Sequence, residues 1–175
     1  MTNDKVKGFL CNKFFRKELI QGFLLHEELT HAEDLHFISQ ILHRYPQSKV
    51  VCSQFVTYTY IINPGSATQD IRKLFNEQGK LRYLEAYERM LALYAEDSDM
   101  RNLLQACCFR LATENIKCVK KYPQIAYTLA KEAQSYTKQY LMCTKLPLSL
   151  MKRIRKCIRI WSIVLLNRLK ARKEV

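Results

Sequence analysis

Leu84, Tyr87, Leu91 and Tyr94 recur at i, i+3, i+7 and i+10, the spacing that gathers apolar side chains on one face of an α-helix. Earlier in the chain Leu35, Phe37, Ile38, Ile41 and Leu42 fill one side of a helical wheel, and His36, Ser39, Gln40, His43 and Arg44 fill the other. This predicts a helix from about Glu33 to His43. Arg44-Tyr45-Pro46 ends it, because proline pushes the residue before it out of helical space. Phe14-Phe15 with Leu19-Ile20, and Phe23-Leu24-Leu25, read as short buried segments. Lys49 to Ile62, rich in Val, Thr, Tyr, Phe and Ile, reads as one long strand or two short ones, stopped by the turn residues Asn63-Pro64-Gly65.

Beyond Ser66 the pattern is helical throughout. One helix is expected from Ala67 to Gln78 with Gly79 as its stop, and the one carrying Leu84 follows. A third is capped by Asp97 or Ser98, a fourth begins at Pro123, and a fifth follows Pro147. In the last of these Ile154, Cys157, Ile158, Trp161, Val164 and Leu165 form one apolar stripe with arginines beside it. The expected fold is α+β and mostly helical, with short strands near 8–62. It divides into residues 1–66, a helical extension 67–146, and a basic amphipathic helix 147–175.

Composition narrows the options. At 175 residues the chain suits one ordinary domain, and 48% apolar residues exclude a wholly disordered one. Four Gly and four Pro disfavour a turn-dense all-β architecture. The net charge of +13 is concentrated at the end, where residues 152–175 hold nine Lys or Arg and one acid. Such a tail is drawn to phosphate. Trp161 among the cations favours a membrane surface or a docking partner over nucleic acid, for which no stacking platform is present. The alternative is a terminal helix packed on its own domain with a solvated basic face. Seven cysteines without a Cys-x-x-Cys pair fit neither a disulfide framework nor the usual zinc spacings, so a reducing, cytoplasmic setting is expected. No signal-peptide pattern opens the sequence, and no apolar run approaches the ~20 residues that span a bilayer.

Glu33-Asp34 is the pair with most chemical promise. Asp34 falls at the centre of the apolar helical face and Glu33 on the polar side, so an acid at a helix N-terminus points inward, a placement suited to general-base work. The plainer reading makes Asp34 a helix cap and Glu33 a solvated first-turn acid. His26, His31, His36 and His43 lie within 18 residues, but His36 and His43 fall on the polar face and no metal-binding spacing pairs them, so no metal site is expected. Asp97-Ser98-Asp99 is a D-x-D triplet in a position that helix capping explains. No P-loop, G-x-G-x-x-G or G-x-S-x-G occurs.

Four motifs in order carry a resemblance. They are Gly8 to Leu19 with Asn12-Lys13, then Phe23 to Leu29, then Ala32-Glu33-Asp34-Leu35-His36-Phe37, and finally Tyr58-Thr59-Tyr60 followed by Pro64-Gly65-Ser66-Ala67-Thr68. Together they resemble the second half of the catalytic domain of family 2 glycosyltransferases. The resemblance implies a partial α/β glycosyltransferase A-type domain followed by a helical extension. It makes Asp34 the base that deprotonates an acceptor hydroxyl in an inverting displacement, with Glu33 in support. Asn12 and Lys13 would shape the cleft floor, and Tyr58, Tyr60 and Ser66 would border it. The resemblance implies a nucleotide-sugar donor and a glycan or lipid-linked acceptor as partners; the basic tail's own pattern adds an anionic membrane surface contacted through 152–173, at the inner face.

A complete domain of that family also holds Mg²⁺ or Mn²⁺ through a D-x-D in a nucleotide-binding half upstream of these motifs. Only 32 residues precede Glu33, and Asp97-Ser98-Asp99 lies on the wrong side of the acid to substitute. The chain alone is therefore expected to bind no cation and to be inactive until a donor-binding half is supplied. Ile61 stands where relatives often carry Arg, and the surroundings of Trp161 do not match the Q-x-x-R-W of processive members. A rival expectation is a non-catalytic helical adaptor that docks on membrane or a partner protein through its basic tail.

Overall fold

In the computed structural model, residues 10–11, 13–52, 58–59, 61, 71–119 and 121–171 are described. The molecule is organised around its fourth helix. The helices are α1 (Lys17–Ile20), α2 (Glu33–Arg44), α3 (Arg82–Leu93), α4 (Ser98–Ile116), α5 (Pro123–Ser135), α6 (Thr137–Met142) and α7 (Leu150–Ala171), with a 3-10 turn at Ile71–Leu74. Asp97 starts α4 as anticipated: its Oδ1 accepts the Met100 N–H at 2.8 Å, satisfying an amide that the helix itself leaves unpaired. Helix α4 then packs α3 on one side and α5 and α6 on the other. Its buried residues Leu104, Ala106, Cys108, Phe109, Ala112 and Ile116 spread widely around the axis. Small Ala and Cys side chains permit this close approach on two sides.

The main core joins Leu84 of α3 to α4, to Leu129, Ala130 and Ala133 of α5, to Tyr140 of α6 and to Cys157, Ile160 and Val164 of α7. A satellite cluster of Met90, Tyr94 and Leu104, with Leu35 against it, links α2 to this body. Phe109 and Tyr140 stack with ring centroids 4.0 Å apart and planes 18° from parallel. That contact depends on a break unseen in the hydrophobic pattern. The helix expected beyond Pro123 leaves helical geometry at Tyr136 (φ −101°, ψ 8°) and restarts as α6.

Three expected elements are corrected, and the segments at Phe14-Phe15 and Phe23-Leu24-Leu25 are not buried as expected, since Phe14, Leu24 and Leu25 are 93%, 80% and 47% exposed. No strand occurs among the described residues, so the short strands near 8–62 are not found at the described positions of that range. Val50, Val51 and Ile61 are 64%, 92% and 83% exposed, and among the described residues no strand lies beside them to complete a hydrogen-bond ladder. The helix expected over Ala67–Gln78 is, in its described part, only the 3-10 turn. There Asn76 diverts the backbone: its Oδ1 accepts the amides of Gln78 (3.1 Å) and Lys80 (2.8 Å), competing with helical bonds. Gly79 takes φ 73°, and Phe75 and Leu81 close an antiparallel bridge. The third correction concerns α7, whose single expected stripe is split. Cys157 and Val164 enter the core, whereas Ile158, Trp161 and Leu165 are 61%, 52% and 58% exposed.

Arg153 also departs from the picture of a solvated basic helix. It is 9% exposed, and its Nη1 donates to the backbone carbonyls of Tyr140 (3.3 Å) and Cys143, at the C-terminal end of α6 where helical carbonyls lack partners. No helix among the described residues is long and apolar enough to cross a membrane.

Candidate functional site

The acid motif opens α2. Ala32 precedes it in the left-handed region (φ 58°, ψ 25°), a conformation in which a Cβ crowds the backbone, and no side chain caps the helix. Glu33 and Asp34 therefore occupy the first helical turn and neither is the cap residue. Asp34 is half-buried, and its two oxygens take different amides: Oδ1 accepts the Leu35 N–H at 3.0 Å and Oδ2 the Leu10 N–H at 3.2 Å. A carboxylate offers about four acceptor sites, and these amides use two. The Leu10 contact ties that residue to the acid motif, and Phe15 meets Phe37 edge-on at 6.2 Å, a second contact between the chain before α1 and α2.

Of the other anticipated site residues, Lys13 is half-buried on the segment that reaches Asp34, and Glu33 is half-buried at the helix start. Tyr58 is 46% exposed. Asn12, Tyr60 and Ser66 lie outside the described residues.

The opposite side of α2 holds what the sequence did not disclose. His36 and Ser39, assigned to a solvated face, are 3% and 5% exposed. The reason is that α2 has neighbours on two sides, the N-terminal segment on one and α3 on the other. Ser39 donates to the Leu35 carbonyl at 2.9 Å and rests against Met90 Sδ, while Tyr94 Oη donates to the Ser39 carbonyl at 3.1 Å. The helix thus buries polar groups by pairing each of them.

His36 stacks edge-on with His26 at 4.9 Å, and its Nδ1 lies 3.2 Å from Gln40 Nε2. Arg89 reaches the His26 ring at 3.4 Å and forms an ion pair with Glu28. Burial first, then the nearby charges of His26 and Arg89, push the His36 pKa down to about 4. His36 is consequently neutral near pH 7. His31 is buried against Tyr83 with Thr30 Oγ1 at 3.2 Å. Only the repeated histidines in the sequence hinted at this cluster, and their helical phase argued against it.

No group of three or more His, Cys, Asp or Glu side chains placed to hold a metal ion occurs among the described residues. In the D-x-D triplet Asp97 caps α4 and Asp99 pairs with Lys145 at 3.5 Å. Burial raises the Cys108 thiol well above its ordinary range, which keeps it in the unreactive protonated form. A groove of about 550 Å³ between Glu28-Leu29 and Glu85, Glu88, Arg89 and Ala92 lies on the α3 side, away from Asp34. The chain matches no protein-family model, no curated protein and no solved structure.

Proposed function

We propose that this chain is the acceptor-side part of an inverting family 2 glycosyltransferase, with a partial A-type domain in its first third. Asp34 acts as the general base: it takes the proton of an acceptor hydroxyl while that oxygen attacks the anomeric carbon of a nucleotide-linked sugar and the nucleoside diphosphate departs. Glu33 supports it, and Asn12, Lys13, Tyr60 and Ser66 contribute to acceptor binding. The observation that supports this reading is the Leu10 amide on Asp34 Oδ2, which ties backbone from the stretch before α1 to the Glu-Asp motif. In a complete domain of that family Mg²⁺ or Mn²⁺ would stabilise the charge on the leaving diphosphate, held by the nucleotide-binding half.

The test is a transfer assay with labelled nucleotide sugars, Mg²⁺ or Mn²⁺, and glycan or lipid-linked acceptors. It compares the chain alone with the chain joined to the nucleotide-binding half of a family 2 enzyme. Transfer is expected from the joined protein only, and Asp34→Asn should abolish it. Turnover by the chain alone, or turnover indifferent to Asp34→Asn, overturns the reading. A non-catalytic adaptor is the second reading, favoured by the uncovered apolar residues of α7.

A further inference from the structure

Helix α7 presents three distinct sides. At about 100° per residue, Arg153, Cys157, Ile160 and Val164 cluster on the side that enters the core. Met151, Ile154, Ile158, Trp161, Leu165 and Leu169 follow one another at spacings of three or four residues on a second side. Of these Ile154 is half-buried and the other five are 47% to 61% exposed. This stripe runs about 27 Å along the helix at 1.5 Å per residue. With Gln134, Thr137 and Leu141 it borders an open, largely apolar groove of about 470 Å³. No described residue covers it.

The third side carries cations along its first half, with Leu166, 57% exposed, beyond them. Lys152, Arg155 and Arg159 are exposed along the flank of the stripe away from the core, and no acidic partner holds any of them among the described residues. A soluble monomer rarely leaves a contiguous apolar patch uncovered, and a row of cations along one edge specifies the charge of what covers it. A second copy of this chain would bring like charges toward that edge. An anionic bilayer satisfies both features: the apolar stripe sinks to the acyl boundary, Trp161 takes the interfacial position its amphipathic ring prefers, and the cations meet lipid phosphates.

We infer that α7 docks the protein in the plane of an anionic lipid surface. The contact is made by Ile158, Trp161, Leu165 and Leu169 with Lys152, Arg155 and Arg159, while Arg153, Cys157, Ile160 and Val164 stay in the protein core. The helix lies on the bilayer and does not cross it. Asp34 has no part in this contact, so it stands whether or not transfer is observed.

Trp161 is the single tryptophan, which makes the experiment direct. The full chain is mixed with vesicles of phosphatidylcholine and phosphatidylglycerol, or of phosphatidylcholine alone, and both co-sedimentation and Trp161 emission are recorded. Expected are binding to the anionic vesicles, a blue shift, quenching by lipids brominated on their acyl chains, and weakening by added salt. Replacing Lys152, Arg155 and Arg159 together by Gln should weaken binding on the order of 100-fold. The Ile158→Ser/Leu165→Ser pair should remove the quenching. Arg44→Gln/Lys49→Gln and Asp34→Asn should bind like the unaltered protein. Melting temperatures of the α7 variants should match the parent, because every altered side chain is exposed. The inference is overturned if anionic vesicles leave emission and sedimentation unchanged, or if phosphatidylcholine alone binds equally well. It is also overturned if the stripe variants instead dissociate a dimer or release bound nucleic acid.

Discussion

The Leu10 N–H donates to Asp34 Oδ2 at 3.2 Å across 24 residues of sequence, so the inward-facing acid of α2 is held by backbone from the segment before α1. On the other side of the same helix, Tyr94 Oη donates to the Ser39 carbonyl at 3.1 Å and fastens α2 to the end of α3. Helix α2 is thereby fixed between two segments, and the consequences are measurable.

Ala32 stands at the entry to this helix with φ 58°, where an L side chain costs about 1–2 kcal/mol that glycine avoids. Ala32→Gly should therefore raise stability by about 0.5–1 kcal/mol after glycine's extra chain entropy in the unfolded state is offset. Urea unfolding at pH 7 measures it, and a destabilised variant would contradict the left-handed entry.

His36 makes stability depend on pH. Its folded-state pKa of about 4 lies below the ordinary 6.5, so between those values the unfolded chain binds the extra proton. Its neutral form is fully compatible with the fold above pH 6.5, and stability falls as pH drops from 6.5 toward 4, by up to ~1.4 kcal/mol per pH unit. Denaturant midpoints taken from pH 7 to pH 4.5 should show this loss, and His36→Gln should flatten it. A variant that keeps the full acid loss would place the sensitivity elsewhere.

Tyr140 is fully buried, and its hydroxyl finds no hydrogen-bond partner among the described residues, although its ring stacks on Phe109. Tyr140→Phe keeps the stack and removes a polar atom that burial penalises, so stability should hold or rise by about 1 kcal/mol. Phe109→Ala empties the centre of the core and should cost about 3–5 kcal/mol. Thermal unfolding of both variants separates the two contributions. A loss above about 1 kcal/mol in Tyr140→Phe would mean that the hydroxyl is satisfied.

Arg153 ties α7 to the end of α6 through the carbonyls of Tyr140 and Cys143. Arg153→Met keeps the length of the side chain but strands those acceptors, costing about 1–3 kcal/mol. Arg155→Met, on the exposed flank of the same helix, should change stability by less than about 0.5 kcal/mol. Equal effects at the two positions would contradict the division of α7 into a core side and an open side.

Features set by neighbours within a few residues were legible in the sequence. The 3.6-residue period marks α2 and α3, Asp97 caps α4, and Pro123 opens α5, because capping, proline geometry and amphipathic phase act over one or two turns. Contacts between distant segments were not. A helical wheel identifies an apolar side but carries no information on which flank another helix will cover. It therefore placed His36 and Ser39 in water, merged the core and open sides of α7 into one stripe, and counted Arg153 among the solvated cations. Only tertiary packing decided those points. Burial of a polar group depends on whether a partner atom from elsewhere in the chain reaches it, as Tyr94 reaches the Ser39 carbonyl and Leu10 reaches Asp34.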